Sequence, residues 1–230
     1  MTKQLISIII PTLNEEKNIS KLLPKIPVIL NDLKNTDYEI IIVDGESSDK
    51  TVEIAKSFGG KIVYDHKGKG SALRKGFEKA NGDILISMDA DLSNDPKELK
   101  LIIDSINIGY DISMGSRFIT GGGTDDMPIL RKIGNRFFVF LVNIFFKSNY
   151  SDLCYGYRGF RKNVIKKLNL KEDRFAIETE ISIKAAKKHL KVIEIPSVEK
   201  KRSSGSGKLR TFYDGYNILK TILKNIFISR

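Results

Sequence analysis

Ile84-Leu85-Ile86-Ser87-Met88-Asp89-Ala90-Asp91-Leu92-Ser93 decides how the chain is read. An apolar run of this length, rich in Ile and Leu, has the pattern of a strand buried on both faces. It ends in two carboxylates one residue apart, which in an extended segment point to the same side. In α/β proteins ligands bind where strands end, because the loops there open into a crevice. Two hard oxygen donors on one side suit a divalent cation that also carries phosphates, Mg²⁺ or Mn²⁺. The plainer reading makes them a strand-end turn that caps the next helix. Asp95-Pro96 already supplies that helix start, which leaves the earlier pair without a capping task.

Upstream, the pattern repeats. Leu5–Ile10 reads as a strand closed by Pro11-Thr12-Leu13-Asn14-Glu15. Thr12 or Asn14 can cap a helix running through Ile19, Leu22, Leu23 and Ile26. Tyr38–Val43 is a second buried strand, ending at Asp44-Gly45-Glu46-Ser47-Ser48-Asp49, and Thr51–Phe58 a helix stopped by Gly59-Gly60. Lys61–Tyr64 is a short third strand, and Gly68-Lys69-Gly70 leads into a helix over Ala72–Ala80. Strands alternating with helices over short connections imply a parallel sheet covered on both faces. Several strands then deliver acidic or glycine-containing loops to one carboxyl edge, the layout of a nucleotide crevice.

Downstream, Leu99–Ile108 is a helix with Lys97, Glu98 and Lys100 outward, and Tyr110–Ser116 a strand delivering Arg117. No phosphate-loop or dinucleotide-binding glycine pattern follows a strand, which counts against NTPases, kinases and dinucleotide oxidoreductases. Pro128 opens a helix to Phe146, apolar over much of its circumference from Phe137 onward. Such a helix is deeply packed or meets lipid. Tyr157–Arg161 reads as a strand, Phe175–Lys188 as a helix bearing Glu178 and Glu180, and Val192–Pro196 as an edge strand. Lys200–Arg210 is a basic Gly/Ser-rich loop, mobile by composition. A terminal helix, Phe212–Ile228, carries Phe212, Tyr216, Leu219, Leu223 and Ile226 on one stripe, with Lys220 and Lys224 off it. The stripe suits core packing or a membrane surface.

The 230 residues, 41% hydrophobic, suffice for a sizeable core. The net charge of +11 calls for an anionic partner: nucleic acid, acidic membrane or a phosphorylated substrate. One cysteine, Cys154, excludes an intramolecular disulfide and a cysteine-cluster metal site and suggests a reducing compartment. With no secretory signal pattern and no apolar run of about 20 residues, the expectation is a protein that is soluble or lies on a membrane. The two histidines, His66 and His189, fall outside every motif.

Taken together, Pro11-Thr12-Leu13-Asn14-Glu15, Asp44 to Asp49, Asp89-Ala90-Asp91, Gly115-Ser116-Arg117 and Asp152-Leu153-Cys154-Tyr155-Gly156-Tyr157-Arg158 resemble family 2 glycosyltransferases in order and spacing. Within that family the chain looks like the dolichyl-phosphate mannose and glucose synthases. The resemblance implies an α/β GT-A fold, a Rossmann-like, mostly parallel nucleotide-sugar-binding sheet flanked by helices, ending in a C-terminal amphipathic helix. It implies one catalytic domain over 1–230. Residues 1–118 would form the donor half, 119–210 the acceptor half, and 211–230 the terminal helix. The implied reaction is an inverting transfer from a nucleotide-diphosphate sugar to polyprenyl (dolichyl) phosphate, on the cytoplasmic face of the membrane.

Carried over residue by residue, the resemblance places Pro11, Thr12, Asn14, Glu15 and Asp44 on the base and ribose, with Lys69, Ala90 and Lys208 also on the donor. Asp89 and Asp91 would hold Mg²⁺ or Mn²⁺, with Ser93 a weaker ligand where the synthases often have Gln. Arg117, Arg131 and Arg202 would meet the lipid phosphate, with Lys208 a further candidate. A phosphate acceptor is ionised at neutral pH, so no strong general base is required, in keeping with a chain nearly free of histidine. Lys67-Gly68-Lys69-Gly70-Ser71-Ala72 resembles the UDP-sugar branch (glucose or an N-acetylhexosamine) more than the GDP-mannose branch. A transferase with a soluble acceptor, or a basic nucleic-acid-binding protein, remain as alternatives. The second leaves the acidic strand ends unexplained.

Overall fold

The computed structural model describes residues 3–227; the expected end of the terminal helix, 228–230, lies outside them. A seven-stranded sheet runs in the order β3-β2-β1-β4-β7-β5-β8. The strands are β1 (Gln4–Thr12), β2 (Thr36–Asp44), β3 (Lys61–Tyr64), β4 (Ile84–Ser87), β5 (Ile112–Ser116), β7 (Arg158–Arg161) and β8 (Val192–Pro196). β1 pairs in parallel with β2 and β4, as does β2 with β3 and β5 with β8. Only β7 runs antiparallel, between β4 and β5.

Period-two alternation explains the two faces. Ile9, Ile41, Val43 and Leu85 point into one core, with Leu73 and Phe77 of α4 (Lys69–Lys79) and Ile177 and Ile181 of α8 (Ile177–Lys187). Ile6, Ile8, Ile10, Ile42 and Ile86 point into the other. There they meet Ile19 and Leu22 of α1 (Glu16–Leu22), Ile26 of α2 (Lys25–Leu30), and Ile102 and Ile106 of α5 (Leu99–Asn107). The chain steps outward from β1 through β2 and β3, with α3 (Thr51–Ser57) between those two, then returns to lay β4 beside β1. That reversal opens a crevice at the ends of β1 and β4.

Several local expectations change. The first helix is two, broken at Pro24, and no side chain of its own caps α1. Thr12 instead donates to Asp44, Asn14 takes a left-handed φ of 54°, and Asp49 of the next loop accepts from Glu16 N at 3.1 Å. Glu98 turns inward, accepting from Ser197 Oγ and, at 3.0 Å, from Val198 N. A second, two-stranded sheet pairs β6 (Gly123–Thr124) with β9 (Val198–Glu199). Two-residue strands leave no periodicity to read.

α6 (Ile129–Phe146) and α9 (Thr211–Phe227) pack on α8 and on each other, while α7 (Lys162–Leu168) follows β7. Their burial falls between the two readings, packing and an exposed apolar surface. α9 buries Asp214, Ile218, Thr221, Ile222 and Asn225 and displays Phe212, Tyr216 and Leu223. α6 buries only Asn135 and Val142 and displays Ile129, Leu130, Ile133, Phe137, Phe140 and Ile144. Much of each apolar stripe faces outward, while Leu141 and Ile226 pack against the core. No described helix is long and apolar enough to cross a membrane.

Candidate active site

The loop after β4 is shaped by its own backbone. Asn94 Oδ1 accepts from Asp89 N at 2.8 Å, Asp91 Oδ1 accepts from Ser93 N at 3.0 Å, and Leu92 lies at φ 67°. Ser93 thus orients the carboxylate of Asp91 through its backbone. Each carboxylate then meets one cation, and each cation meets a second acid. Lys69 Nζ stands 2.7 Å from Asp89 Oδ1 and 2.9 Å from Glu178 Oε1. Arg202 places Nη2 3.1 Å from Asp91 Oδ2 and Nη1 2.9 Å from Glu15 Oε1. Burial works against the Lys69 ammonium, but Asp89 and Glu178 outweigh it and hold its pKa above the ordinary lysine value.

A polar cleft of about 440 Å³ spreads from these residues along the ends of β1, β2 and β4. Pro11, Thr12, Glu15, Lys69, Asp89, Ala90, Asp91, Ser93, Arg131, Arg202 and Lys208 all line it. Asn14 and Asp44 do not. Asp44 is fully buried, accepting from Thr12 Oγ1 at 2.9 Å and from Ser47 N at 2.8 Å. Asn14 Oδ1 accepts from Ser48 N at 2.8 Å. The two residues tie the first two loops into one wall behind the cleft.

A second cavity, about 460 Å³ and mainly apolar, lies between α6 and α9. Leu130, Phe137, Phe138, Phe212, Tyr216 and Leu219 line it, and it runs into the polar cleft at Lys69, Asp89 and Arg131. Arg131 donates to Thr211 Oγ1 and to the Leu209 carbonyl, both at 3.1 Å, and has no carboxylate partner among the described residues. It thus stands outside any ion pair where the cavities meet, with Asp89, Asp126 and Glu199 also lining the junction.

Arg117 lines the second cavity but not the polar cleft, and its guanidinium is tied down on several sides. Nε and Nη2 donate to Asp152 at 2.7 and 2.9 Å, Nη1 donates to Glu199 at 3.0 Å, and Tyr155 stacks 4.7 Å from the guanidinium. With its side chain 4% exposed, it fastens the loop after β5 to the Asp152 segment and β9. Arg158, also buried, donates to the carbonyls of Leu153, Tyr155 and Glu178 and to Ser182 Oγ. Burial, and then Asp152 beside it, push the Cys154 thiol up to about 12, so it stays protonated and is no nucleophile.

The donors fit a divalent cation in part. Asp89 and Asp91 supply hard oxygens on one side of the loop, yet no group of three or more acidic, His or Cys side chains suited to a metal gathers among the described residues. A cation here would take two protein carboxylates and complete its shell from a ligand's phosphates, a usual Mg²⁺ arrangement. Lys69 and Arg202 would then have to share or yield those carboxylates. Glu178 is the residue the sequence reading missed. Two acids in the first turn of α8 look like ordinary partners of a helix N-terminus, whereas Glu178 is buried, lines the second cavity and faces Lys69.

Comparison with known proteins agrees with the motifs. The sequence profile of Glycosyl transferase family 2 matches residues 7–168. The dolichol-phosphate mannosyltransferase of Pyrococcus furiosus is 34% identical over 89% of this chain, which spans 59% of that protein's length. The polyprenol monophosphomannose synthase of Mycolicibacterium smegmatis is 27% identical, covering 94% of this chain and 84% of that one. In three dimensions the fold resembles glucosyl-3-phosphoglycerate synthase from Mycobacterium tuberculosis, solved with Mn²⁺, uridine diphosphate and phosphoglyceric acid. The TM-score is 0.77 at 17% identity, over 99% of this chain and 80% of that one. With its acidic crevice, its motifs in order and the profile over most of its length, this chain belongs to Glycosyl transferase family 2.

Proposed function

We propose that the protein moves a sugar from a nucleotide-diphosphate sugar to the phosphate of a polyprenyl lipid. The observation that carries this reading is the junction of the two cavities. A polar cleft ending in two carboxylates suits a nucleotide diphosphate, and an apolar trough between α6 and α9 suits a prenyl chain. Arg131 stands where the two phosphates would approach each other.

The acceptor phosphate oxygen attacks the anomeric carbon, the bond from that carbon to the donor phosphate breaks, and the nucleoside diphosphate leaves with inversion. Mg²⁺ or Mn²⁺ held by Asp89 and Asp91 would neutralise charge growing on the leaving diphosphate. Lys69 adds a fixed cation beside it, and Arg131 and Arg202 would meet the incoming acceptor phosphate. Thr12 and Pro11 line the far end, where the base and ribose would lie, against a wall built by Asp44 and Asn14.

For the donor, two readings have support. Lys69 in its glycine-flanked stretch favours UDP-glucose or a UDP-N-acetylhexosamine by resemblance, whereas the names of the Pyrococcus and Mycolicibacterium relatives favour a mannosyl donor. Lys69 lies against Asp89 and Glu178, so its contacts bear on the diphosphate rather than on the choice of base. The outward apolar stripes and the +11 charge support a peripheral position on an anionic membrane, at its cytoplasmic face. Incubation with Mn²⁺ or Mg²⁺, polyprenyl phosphate and labelled UDP- and GDP-sugars, followed by lipid extraction, tests the reading. Label in the lipid from one donor supports it; label only in water-soluble products refutes the lipid acceptor.

A further inference from the structure

Two cations line both cavities, Lys69 and Arg131. Arg131 is held by neutral oxygens, but Lys69 is suspended between two carboxylates, Asp89 Oδ1 at 2.7 Å and Glu178 Oε1 at 2.9 Å. Glu178 is 3% exposed, and neither of its oxygens makes a well-directed hydrogen bond among the described residues. A buried carboxylate with so little hydrogen bonding is costly, and an apolar or amide side chain of similar size serves packing better. The surroundings hold this costly arrangement in place. Arg158 Nη1 pins the Glu178 carbonyl at 2.9 Å, and the Phe175 ring lies 5.9 Å from Lys69 Nζ. At Gly156 a Cβ would stand 2.7 Å from Nζ and 3.2 Å from Glu178 Oε1, so a larger residue there would displace the ammonium.

Glu178 sets where the ammonium sits. Paired with Asp89 alone, Lys69 would settle on that carboxylate and cancel a charge the cation and diphosphate need. With Glu178 opposite, the ammonium is shared between the two carboxylates, 2.7 Å from one and 2.9 Å from the other, and kept at the junction. We propose that Glu178 is a positioning residue: it holds the Lys69 ammonium between the cleft and the trough, where that ammonium meets the donor's diphosphate. The proposal rests on the reading of the cleft as a nucleotide-sugar site.

The test is calorimetry of UDP and GDP, without sugar, in the presence of Mn²⁺. Glu178→Gln should weaken the preferred diphosphate about tenfold, the loss expected when one charge-assisted contact is misplaced. Lys69→Met should weaken it as much, and the double variant no further than Lys69→Met, because Glu178 acts only through Lys69. Glu178→Asp, which keeps the charge but shortens the reach, should fall between wild type and Glu178→Gln. It also serves as the test if Glu178→Gln does not fold. Unchanged diphosphate binding in both Glu178 variants overturns the proposal, with nucleotide-sugar binding reduced only if Glu178 touches the sugar itself. Additive losses in the double variant overturn it too. Wild-type protein that binds neither UDP nor GDP overturns the nucleotide-sugar reading itself, and this inference with it.

Discussion

Arg202 reaches across the cleft to Asp91, with Nη2 3.1 Å from Oδ2, while the backbone N–H of Ser203 donates to the Asp91 carbonyl at 3.2 Å. A loop that composition marks as mobile is therefore drawn onto the carboxylate expected to hold a cation. Lys200 N to Ser93 O at 3.0 Å and Asn18 Nδ2 to Ser204 O at 3.1 Å fasten it on either side.

The first prediction uses that contact. Arg202→Ala releases Asp91 from its ion pair, so Mn²⁺ alone should bind severalfold more tightly. Turnover should fall at the same time, because the loop loses its hold over the site. Mn²⁺ titration followed by magnetic resonance, beside steady-state kinetics, reads both. Weaker Mn²⁺ binding in this variant would show that Arg202 does not compete for Asp91.

Asp91→Ala should abolish transfer while the protein stays folded, since a carboxylate at the end of a strand contributes little to the core. Transfer activity and thermal unfolding are measured together. Full activity in EDTA-treated buffer sinks the assignment.

Arg131→Ala should raise the KM for polyprenyl phosphate or lower kcat, leaving nucleotide-sugar affinity nearly unchanged. Loss of a charge-assisted contact costs about 1.5–3 kcal/mol, or roughly ten- to a hundredfold. If donor affinity collapses and the acceptor KM stays put, Arg131 serves the diphosphate.

Arg117→Ala tests a structural role. Removing one partner of a buried pair leaves Asp152 uncompensated, at a cost of about 3–5 kcal/mol. In a domain of this size that lowers Tm by roughly 10 °C. A variant with wild-type Tm and a selectively raised acceptor KM would return Arg117 to the ligand.

Liposomes test the outward faces of α6 and α9. Binding to anionic vesicles should weaken with salt, as the Debye length shrinks to about 3 Å at 1 M, and Phe140→Ser with Phe212→Ser should reduce it further. Indifference to vesicles at low salt would leave the two stripes without a membrane.

What the sequence made legible follows from length scales. β1, β2 and β4 are long or fully apolar runs ended by marked loops, so the sheet and its crevice could be read directly. Asp89 and Asp91 could be read from the strand end they close, and Arg131 was expected from the resemblance; all three line the cleft. Arg117 and Asp152 belong to motifs too, but their pairing joins loops far apart in sequence, and no local pattern reveals which of the two a charge will face. Glu178 was hidden for the same reason: its partner Lys69 starts a different helix. The terminal stripes were seen, but apolar spacing cannot say which side of a helix is inward when the buried side carries Asn135, Asp214 and Asn225.

The single reversed strand has a consequence for handling the protein. β7 lies between β4 and β5, and all four residues of β4 are buried. A fragment ending near residue 118 would keep the donor-side motifs of β1, β2 and β4 yet leave one side of β4 bare, an apolar ladder of unpaired amides ready to recruit another chain. The donor half is thus not a portable module: truncated there, it should aggregate, and domain exchange with a relative has to carry β7 along.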